Sequence, residues 1–356
     1  MGASMKKEHL LVIRFSALGD VAMTVPIIWA LSQQYPDMRI TVLSKPIARA
    51  IFEELAPNVN FMEADLKGEY HGVKGLNALY RRLVAKQFTA IADLHNVLRS
   101  EYLRLRFTLG NFRVEHINKH RKQRRQLVAP GKKKHKTPLP SSFQNYLDVF
   151  ARLGFPVDTE HYCFSSLFPE EGGDLSLLAK PIAPKKQGEP WIGIAPTAAH
   201  EGKIYPTPLM EQVIEGLIAA HPQCRIFLFG RGQQEDKLFK QWEQRWPQCL
   251  SAARQTDNIK QELILMSHLD VMVSMDSANQ HLASLTATPV VSIWGATHPF
   301  AGFLGWRQNE QNAIQTDLPC RPCSIYGQKP CKRGDYACLN NIKPATIIEK
   351  INQFIN

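Results

Sequence analysis

Apolar runs of strand length alternate with segments of helical length along most of this 356-residue chain. Strands that are separated by helices in this way predict a parallel sheet, because a parallel connection needs a crossover. In the first half, this pattern predicts strands at 10–15, 39–43, 59–62 and 89–94, and helices near Pro26 and at 48–55, 76–86 and 142–153.

The same alternation restarts after 154–188, a stretch rich in proline, glycine and lysine that is typical of a domain boundary. We therefore predict an α/β fold with two Rossmann-like domains that face a cleft. The predicted parts are an N-terminal domain (1–170), a linker (171–189), a C-terminal domain (190–343) and a last helix (344–356), for which packing on the N-terminal domain is one arrangement. The second half is predicted to contain strands at 191–195, 225–229, 271–275 and 290–294, and helices at 209–220, 235–246, 259–267 and 345–354.

A carboxylate stands in the turn after the first predicted strand. The turn Ser16-Ala17-Leu18-Gly19-Asp20 has one glycine, whereas a phosphate loop needs several glycines and free backbone N–H groups. The Asp20 carboxylate would also repel a phosphate. The turn therefore predicts a general base, and a cap for the following helix is the alternative reading.

The second half has a turn that suits a phosphate. Asp276 is expected to cap a helix that opens with Ser277 and Ala278, whose small side chains let a diphosphate approach the backbone N–H groups. An ordinary capped core helix is the alternative. His281 is expected either on the cleft or packed in the core.

Two further connections between strand and helix carry polar candidates. Lys203, which precedes Tyr205-Pro206, can neutralise a departing diphosphate, although a plain surface lysine has the same pattern. Glu235 follows the glycine-rich turn 230–232 and can accept hydrogen bonds from ribose hydroxyls. An acid in the first turn of a helix is the simpler interpretation.

The net charge of +11 comes mainly from one segment, because residues 119–136 contain nine Lys and Arg and no acid. A solvated mobile loop, a basic rim for an anionic substrate or membrane face, and a nucleic-acid contact are all compatible with this charge. Aromatic residues that could stack on bases are missing from the segment, which disfavours nucleic acid.

Targeting signals are not evident in the sequence. No run of about 18 apolar residues predicts a membrane span, the first seven residues lack the apolar core of a signal peptide, and Lys6 disfavours myristoylation. We expect a cytoplasmic protein. A peripheral location at the cytoplasmic face of the inner membrane is the alternative.

The spacing of Cys320, Cys323, Cys331 and Cys338 is compatible with structural zinc, with disulfides or with reduced thiols.

Taken together, these motifs resemble glycosyltransferase family 9, the ADP-heptose:lipopolysaccharide heptosyltransferases. The resemblance lies in R-F-S-A-L-G-D-V-A-M-T-V-P at 14–26, P-T-A-A with K-I-Y-P, D-S-A-N-Q-H-L-A-S-L at 276–285, and V-S-I-W-G-A-T-H-P at 291–299. It implies a GT-B arrangement and inverting transfer of heptose from ADP-heptose to an anionic lipid A or inner-core acceptor, with no metal cofactor required for catalysis.

The resemblance also implies roles for individual residues. Asp20 would be the catalytic base and Lys203 would support the donor phosphates. The donor would contact Thr197, Ala198, Glu235, Asp276, Ser277, Ala278 and His281, and the N-terminal domain would bind the acceptor through Arg81, Arg82, Arg99, Arg104 and Arg113. The alternatives are transfer from another nucleotide sugar, a sugar-nucleotide epimerase or hydrolase, and a basic protein that binds RNA or lipid.

Overall fold

The computed structural model describes residues 7–355, and the expectations drawn from the first six residues lie outside this range. The chain divides into two compact units. The first contains residues up to Lys119 together with Ser142–Phe164, and the second contains His120–Ser141 together with the residues from Ser165 onward. Among the described residues, no helix combines the length and the apolar character that crossing a bilayer requires.

The first unit is a five-stranded parallel sheet in the order β3-β2-β1-β4-β5. This is the strand order of a doubly wound nucleotide-binding fold, in which the chain reverses direction beside its first strand. Its elements are β1 (His9–Ile13), α1 (Leu18–Ala22), α2 (Val25–Gln34), β2 (Arg39–Ser44), β3 (Val59–Glu63), α3 (Gly72–Val84), β4 (Ala90–Asp93), α4 (Leu98–Leu109) and β5 (Arg113–His116).

Helices α3 and α4 pack on the sheet through apolar residues at helical spacing. Leu76, Leu79 and Leu83 form the buried face of α3, and Leu103 and Phe107 are buried on α4. Positions three and four apart lie on one face of a helix, so these side chains all reach the core over the sheet.

The second unit repeats the design with six parallel strands in the order β11-β10-β9-β6-β7-β8. Two parallel α/β sheets confirm the predicted fold class. The elements from residue 120 onward are α5 (Arg121–Leu127), α6 (Ser142–Arg152, which belongs to the first unit), β6 (Trp191–Ala195), α7 (Thr207–Ala220), β7 (Arg225–Leu228), α8 (Gln233–Arg245), β8 (Cys249–Ser251), α9 (Ile259–Met266), β9 (Val271–Met275), α10 (Ala278–Ser284), β10 (Val290–Trp294), β11 (Ala313–Gln315), α11 (Ala337–Asn340) and α12 (Pro344–Ile355).

The final helix, α12, packs on α7 within the second unit. The two helices come close at Gly216, where an added Cβ would lie 2.4 Å from Cδ1 of Ile348. Ile347 and Ile351 on the buried face of α12 belong to the core of this unit. The packing that the structure provides for this helix is therefore on its own unit and not the arrangement considered from the sequence.

Several elements differ from the prediction. Residues 48–55 were expected to be an α-helix, but a 3-10 helix spans Pro46–Ile51 instead. Residues 120–141 belong to the second unit, although the predicted N-terminal domain included them. Strands β5, β8 and β11 are only three or four residues long, which is too short for a clear periodic pattern. Helix α4 also has no clear pattern, because it carries apolar residues on two opposite faces.

Candidate active site

In the first unit, a pocket lies where the strand order reverses, between β1 and β4. Ligands of doubly wound sheets bind at this position, beyond the carboxyl ends of the strands. Ser16 follows β1 and His95 follows β4, and the Ser16 Oγ lies 3.5 Å from the His95 Nε2. Both residues line the pocket, which has a volume of about 410 Å³.

Asp20 lies on α1, directly after this turn. Its Oδ2 is 2.7 Å from the guanidinium of Arg14, and it also accepts a hydrogen bond from the Ala17 N–H at 3.2 Å. Arg14 is buried and donates to the carbonyl of Leu94 at 2.6 Å. The ion pair and the hydrogen bond hold the carboxylate of Asp20 in place. Because its side chain is 31% exposed, the carboxylate also remains open to solvent. These contacts fit a base and also satisfy the alternative of a capping residue.

Sequence reasoning missed Arg14 and His95 as parts of this site. The signal for Arg14 was an arginine within the apolar run 10–15, because a buried guanidinium needs a partner. Burial lowers the pKa of His95 to about 3, and the positive charge of Arg14 acts in the same direction. The imidazole is therefore neutral at physiological pH.

The pocket combines positive charge with apolar surface. Lys45 and Arg99 supply the charge, and Leu66 and Leu98 line the pocket beside them. Such a lining suits an anionic molecule that also has an apolar part. Of the five arginines predicted to bind an acceptor, Arg99 is the one that the structure places here.

The remaining predicted arginines have other surroundings. Arg104 pairs with the buried carboxylate of Asp93 at 3.2 Å, and Arg113 pairs with Glu8 at 2.8 Å. These partners account for both side chains structurally. The structure does not bring them into the pocket.

Arg81 and Arg82 lie in the last turn of α3. Arg82 donates to the Tyr70 hydroxyl and lines a second cavity of about 1020 Å³, which also contains His9 and Arg39. His9 and Arg39 begin β1 and β2, so this cavity lies at the amino ends of the strands. It is therefore at the opposite edge of the sheet from Asp20.

In the second unit, the strand order reverses between β6 and β9, and a lysine–aspartate pair lies at their carboxyl ends. Lys203 Nζ is 2.9 Å from Oδ2 of Asp276 and donates to the Asp276 carbonyl at 3.0 Å. The Lys203 side chain is 14% exposed. It is therefore not the surface lysine of the alternative reading.

Asp276 does not cap α10 as predicted. Ser277 is the N-cap residue, and its side chain makes no capping hydrogen bond. Asp276 is instead buried, where its other carboxylate oxygen accepts from Gln280 Nε2 at 3.2 Å. The prediction was wrong because the side chain of Asp276 is drawn to Lys203, which is 73 residues away in the chain.

Glu235 lies in the first turn of α8, and its Oε1 accepts a hydrogen bond from Thr197 Oγ1 at 3.2 Å. The loop before it must be glycine-rich, because Gly232 has φ +147 and an added Cβ would lie 2.6 Å from Oε2 of Glu235. Thr197 follows β6. The two predicted donor contacts are thus neighbours at the edge where Lys203 also lies.

The other predicted donor residues have mixed surroundings. Ala198 packs against the hydrophobic core of the second unit. Ala278 is half-buried in the first turn of α10, and His281 is buried on the same helix. Ser277 Oγ lies 3.2 Å from Ser274 Oγ. Of the alternatives stated for His281, the structure shows a packed histidine.

Arg321 is a further element that sequence reasoning missed. It is fully buried, and its guanidinium donates to the carbonyls of Trp294, Gly295 and Thr297 at the end of β10. Ala296, which lies between Gly295 and Thr297, donates its N–H to the carbonyl of Gly202 at 2.7 Å. Gly202 directly precedes Lys203. Arg321 therefore holds the loop against which the turn of Lys203 is built.

Replacing Arg321 with methionine is expected to lower the free energy of unfolding by about 3 kcal/mol or more, because several buried carbonyls lose a charged donor. Urea unfolding followed by tryptophan fluorescence measures this loss. Arg333→Met is the matched control, since Arg333 is exposed and pairs with Asp335, and its unfolding midpoint should stay close to that of the unchanged chain. Equal midpoints for the two variants would contradict the structural role of Arg321.

Parts of the basic segment at 119–136 pack on the second unit. Leu127 is buried with Trp294, and the guanidinium of Arg124 lies 5.2 Å from the centre of the Phe303 ring. Lys134 Nζ donates to the carbonyls of Cys320 and Pro322 at 2.7 and 2.8 Å. Several of its charges therefore have protein partners, while six of its nine basic residues are exposed.

The four clustered cysteines are free thiols, and burial raises the pKa of Cys338 to about 11. Within residues 7–355, no three His, Cys, Asp or Glu side chains form a group that could hold a metal ion. Structural zinc at Cys320, Cys323, Cys331 and Cys338 stays a prediction, and we assign no chemistry to it.

Comparison with known proteins gives a family match and distant relatives. The model of glycosyltransferase family 9 (heptosyltransferase) matches residues 76–333. Lipooligosaccharide heptosyltransferase 2 of Campylobacter jejuni is 24% identical over 47% of this chain, and the matched part spans only 52% of that protein. The lipopolysaccharide core heptosyltransferase OpsX of Haemophilus influenzae is 21% identical over 82% of this chain and 80% of its own length.

Solved structures share the fold over nearly the whole chain. A family 9 glycosyl transferase from Veillonella parvula has a TM-score of 0.69 at 16% identity and covers 100% of this chain and 99% of its own. The heptosyltransferase WaaC of Escherichia coli with ADP has a TM-score of 0.65 at 15% identity and covers 97% and 99%. Because the family model matches most of the length of this chain, the chain belongs to glycosyltransferase family 9, the heptosyltransferase family.

Proposed function

We propose that this chain is an inverting glycosyltransferase that moves a heptose from ADP-heptose to the inner core of lipopolysaccharide. The observation that supports it best is the distribution of charge between the two sheets. The carboxylate of Asp20, held by Arg14, lies at the switch point of one sheet, and Lys203 lies at the switch point of the other. The names of the relatives support heptose and lipopolysaccharide core as substrates.

The second unit is the proposed donor site. The diphosphate of the donor would approach Lys203 and the backbone N–H groups at Ser277 and Ala278. Lys203 already bonds to Asp276, so the diphosphate would share or take over this ammonium group. Glu235 and Thr197 would bind the ribose hydroxyls, because a carboxylate and a hydroxyl at this position suit a ribose.

The first unit is the proposed acceptor site. The pocket beside Ser16 offers Lys45 and Arg99 to the anionic groups of an inner-core sugar. An acceptor hydroxyl placed beside Asp20 can lose its proton to the carboxylate. The imidazole of His95 is neutral, so it does not repel the cations Lys45 and Arg99 that line the same pocket.

The proposed reaction is a single displacement. The acceptor oxygen forms a bond to the anomeric carbon of the heptose as the bond to the diphosphate oxygen breaks. The proton of the acceptor hydroxyl goes to Asp20, and the electron pair of the broken bond leaves with ADP. One displacement at the anomeric carbon inverts its configuration, and Lys203 stabilises the negative charge that develops on the leaving group.

Mass spectrometry of the full chain with ADP-heptose, with and without an inner-core acceptor, tests this proposal. We expect one heptose added to the acceptor and one ADP released, with little turnover when the acceptor is omitted. Rapid turnover of the donor alone would favour a hydrolase or an epimerase. Transfer from a different nucleotide sugar under the same conditions would overturn the choice of donor.

A further inference from the structure

Helix α4 has apolar side chains on two opposite faces. Ser100, Leu103 and Phe107 face the core, while Leu98, Leu105 and Leu109 are exposed to 85%, 56% and 72%. The three exposed leucines lie within about 40° of one another around the helix axis and span about 16 Å along it. A surface helix of a globular domain normally turns polar residues outward. Packing within the unit does not account for these leucines.

The exposed leucines belong to a larger surface. Helix α3 packs alongside α4, where Tyr102 donates to Asn77 at 2.8 Å, and α3 adds exposed Val73 and Val84. Of the eight exposed large apolar side chains among the described residues, six belong to the first unit. We call this surface of exposed leucines and valines the α3–α4 face.

The charge of the two helices has one dominant sign. Helices α3 and α4 together carry six basic residues and a single acid, Glu101. Arg82, Arg104 and Arg106 bond to Tyr70, Asp93 and Asn77, whereas Lys74, Arg81 and Arg99 are exposed and supply the charge of this face. Apolar side chains among basic residues are the composition that binds at the interface of an anionic bilayer, where the leucines enter the boundary of the acyl chains and the cations meet the lipid phosphates. A second protein copy would bring like charge against like.

The α3–α4 face begins at the mouth of the proposed acceptor pocket. Leu98 and Arg99 line that pocket and also form the first turn of α4. A bilayer that contacts Leu98, Leu105 and Leu109 would therefore reach the pocket at the side that Leu98 lines. A lipid-borne acceptor needs this placement, since its sugar has to enter the pocket while its acyl chains remain in the membrane.

We infer that the α3–α4 face docks the enzyme on an anionic lipid surface, with the leucines of α4 inserted between headgroups. The inference rests on the proposed function only for the identity of the acceptor. Binding to lipid itself needs neither donor nor transfer.

Sedimentation of the full chain with vesicles tests this inference, using phosphatidylcholine alone and phosphatidylcholine mixed with phosphatidylglycerol. We expect binding to the anionic vesicles and at least about tenfold weaker partitioning for Leu105→Ser/Leu109→Ser, because two large apolar side chains are lost from the contact. Leu177→Ser is the matched control, since Leu177 is exposed to the same degree as Leu105 but lies in the second unit. Circular dichroism checks that each variant is folded.

Three results would overturn the docking: equal partitioning of the double variant and the wild type, equal binding to neutral and anionic vesicles, or no vesicle binding at all. If the double variant alters the sedimentation coefficient without lipid, a second copy covers the face instead. Transfer to a delipidated acceptor separates the two proposals. A chain that transfers heptose but ignores vesicles refutes the docking alone, and a chain that binds vesicles but transfers nothing refutes the proposed function alone.

Discussion

Replacing Asp20 with alanine is expected to lower the rate of the proposed heptose transfer by at least about 10²-fold, because general base catalysis contributes about this much or more. Donor affinity should not change, since the proposed diphosphate site lies in the second unit. Turnover measured by release of ADP and donor binding measured by calorimetry give the two quantities separately.

Asp20→Asn distinguishes catalysis from structure. The asparagine keeps an oxygen that can accept from Ala17 and Arg14, so the fold of the turn should survive, but an amide cannot take the proton. Asp37→Ala is the matched control, because this exposed aspartate lies at the opposite edge of the same sheet, where it lines the larger cavity. Wild-type rates for Asp20→Asn would show that Asp20 is only a helix cap.

Replacing Lys203 with methionine is expected to lower kcat by about 10²- to 10³-fold, the usual effect of removing one preorganised donor from a developing charge. The same change leaves the buried carboxylate of Asp276 without its cation, which should also reduce stability by about 3 kcal/mol or more. Thermal unfolding and transfer kinetics are both needed, because one substitution has two consequences.

The double variant Lys203→Met/Asp276→Asn separates these consequences. It removes the unpaired charge and should regain most of the lost stability, yet transfer should stay low because no ammonium faces the leaving group. Lys185→Met is a matched control, since Lys185 pairs with Asp270 of the same unit away from the switch point. Recovery of transfer together with stability would mean that Lys203 only supports the fold.

Local sequence signals predicted much of this molecule correctly. The apolar runs predicted β1, β2, β4, β6, β7, β9 and β10, because long buried strands of a parallel sheet are continuously apolar. The strand ends then located Asp20, Lys203, Glu235 and Asp276, since turns follow strands directly in the chain. These inferences needed only residues within a few positions of each other.

Elements with weak or double patterns were not predicted. Helix α4 has leucines on its outer face, which conceals the period that reveals an amphipathic helix. The three short strands β5, β8 and β11 have too few residues for any period to be recognised. The final helix was predicted from its pattern, but its packing on α7 was not, because the choice of packing partner is not encoded locally.

The sequence by itself determined the alternation of strands and helices and placed a carboxylate, but no phosphate loop, after β1. Only the tertiary structure decided which charges meet. Arg14 donates to the carbonyl of Leu94, Lys203 pairs with Asp276, and residues 120–141 join the second unit. The physical reason is that these contacts join residues far apart in the chain, so they depend on the order of the strands and on the connections between them. Periodicity and turns, in contrast, depend only on neighbouring residues.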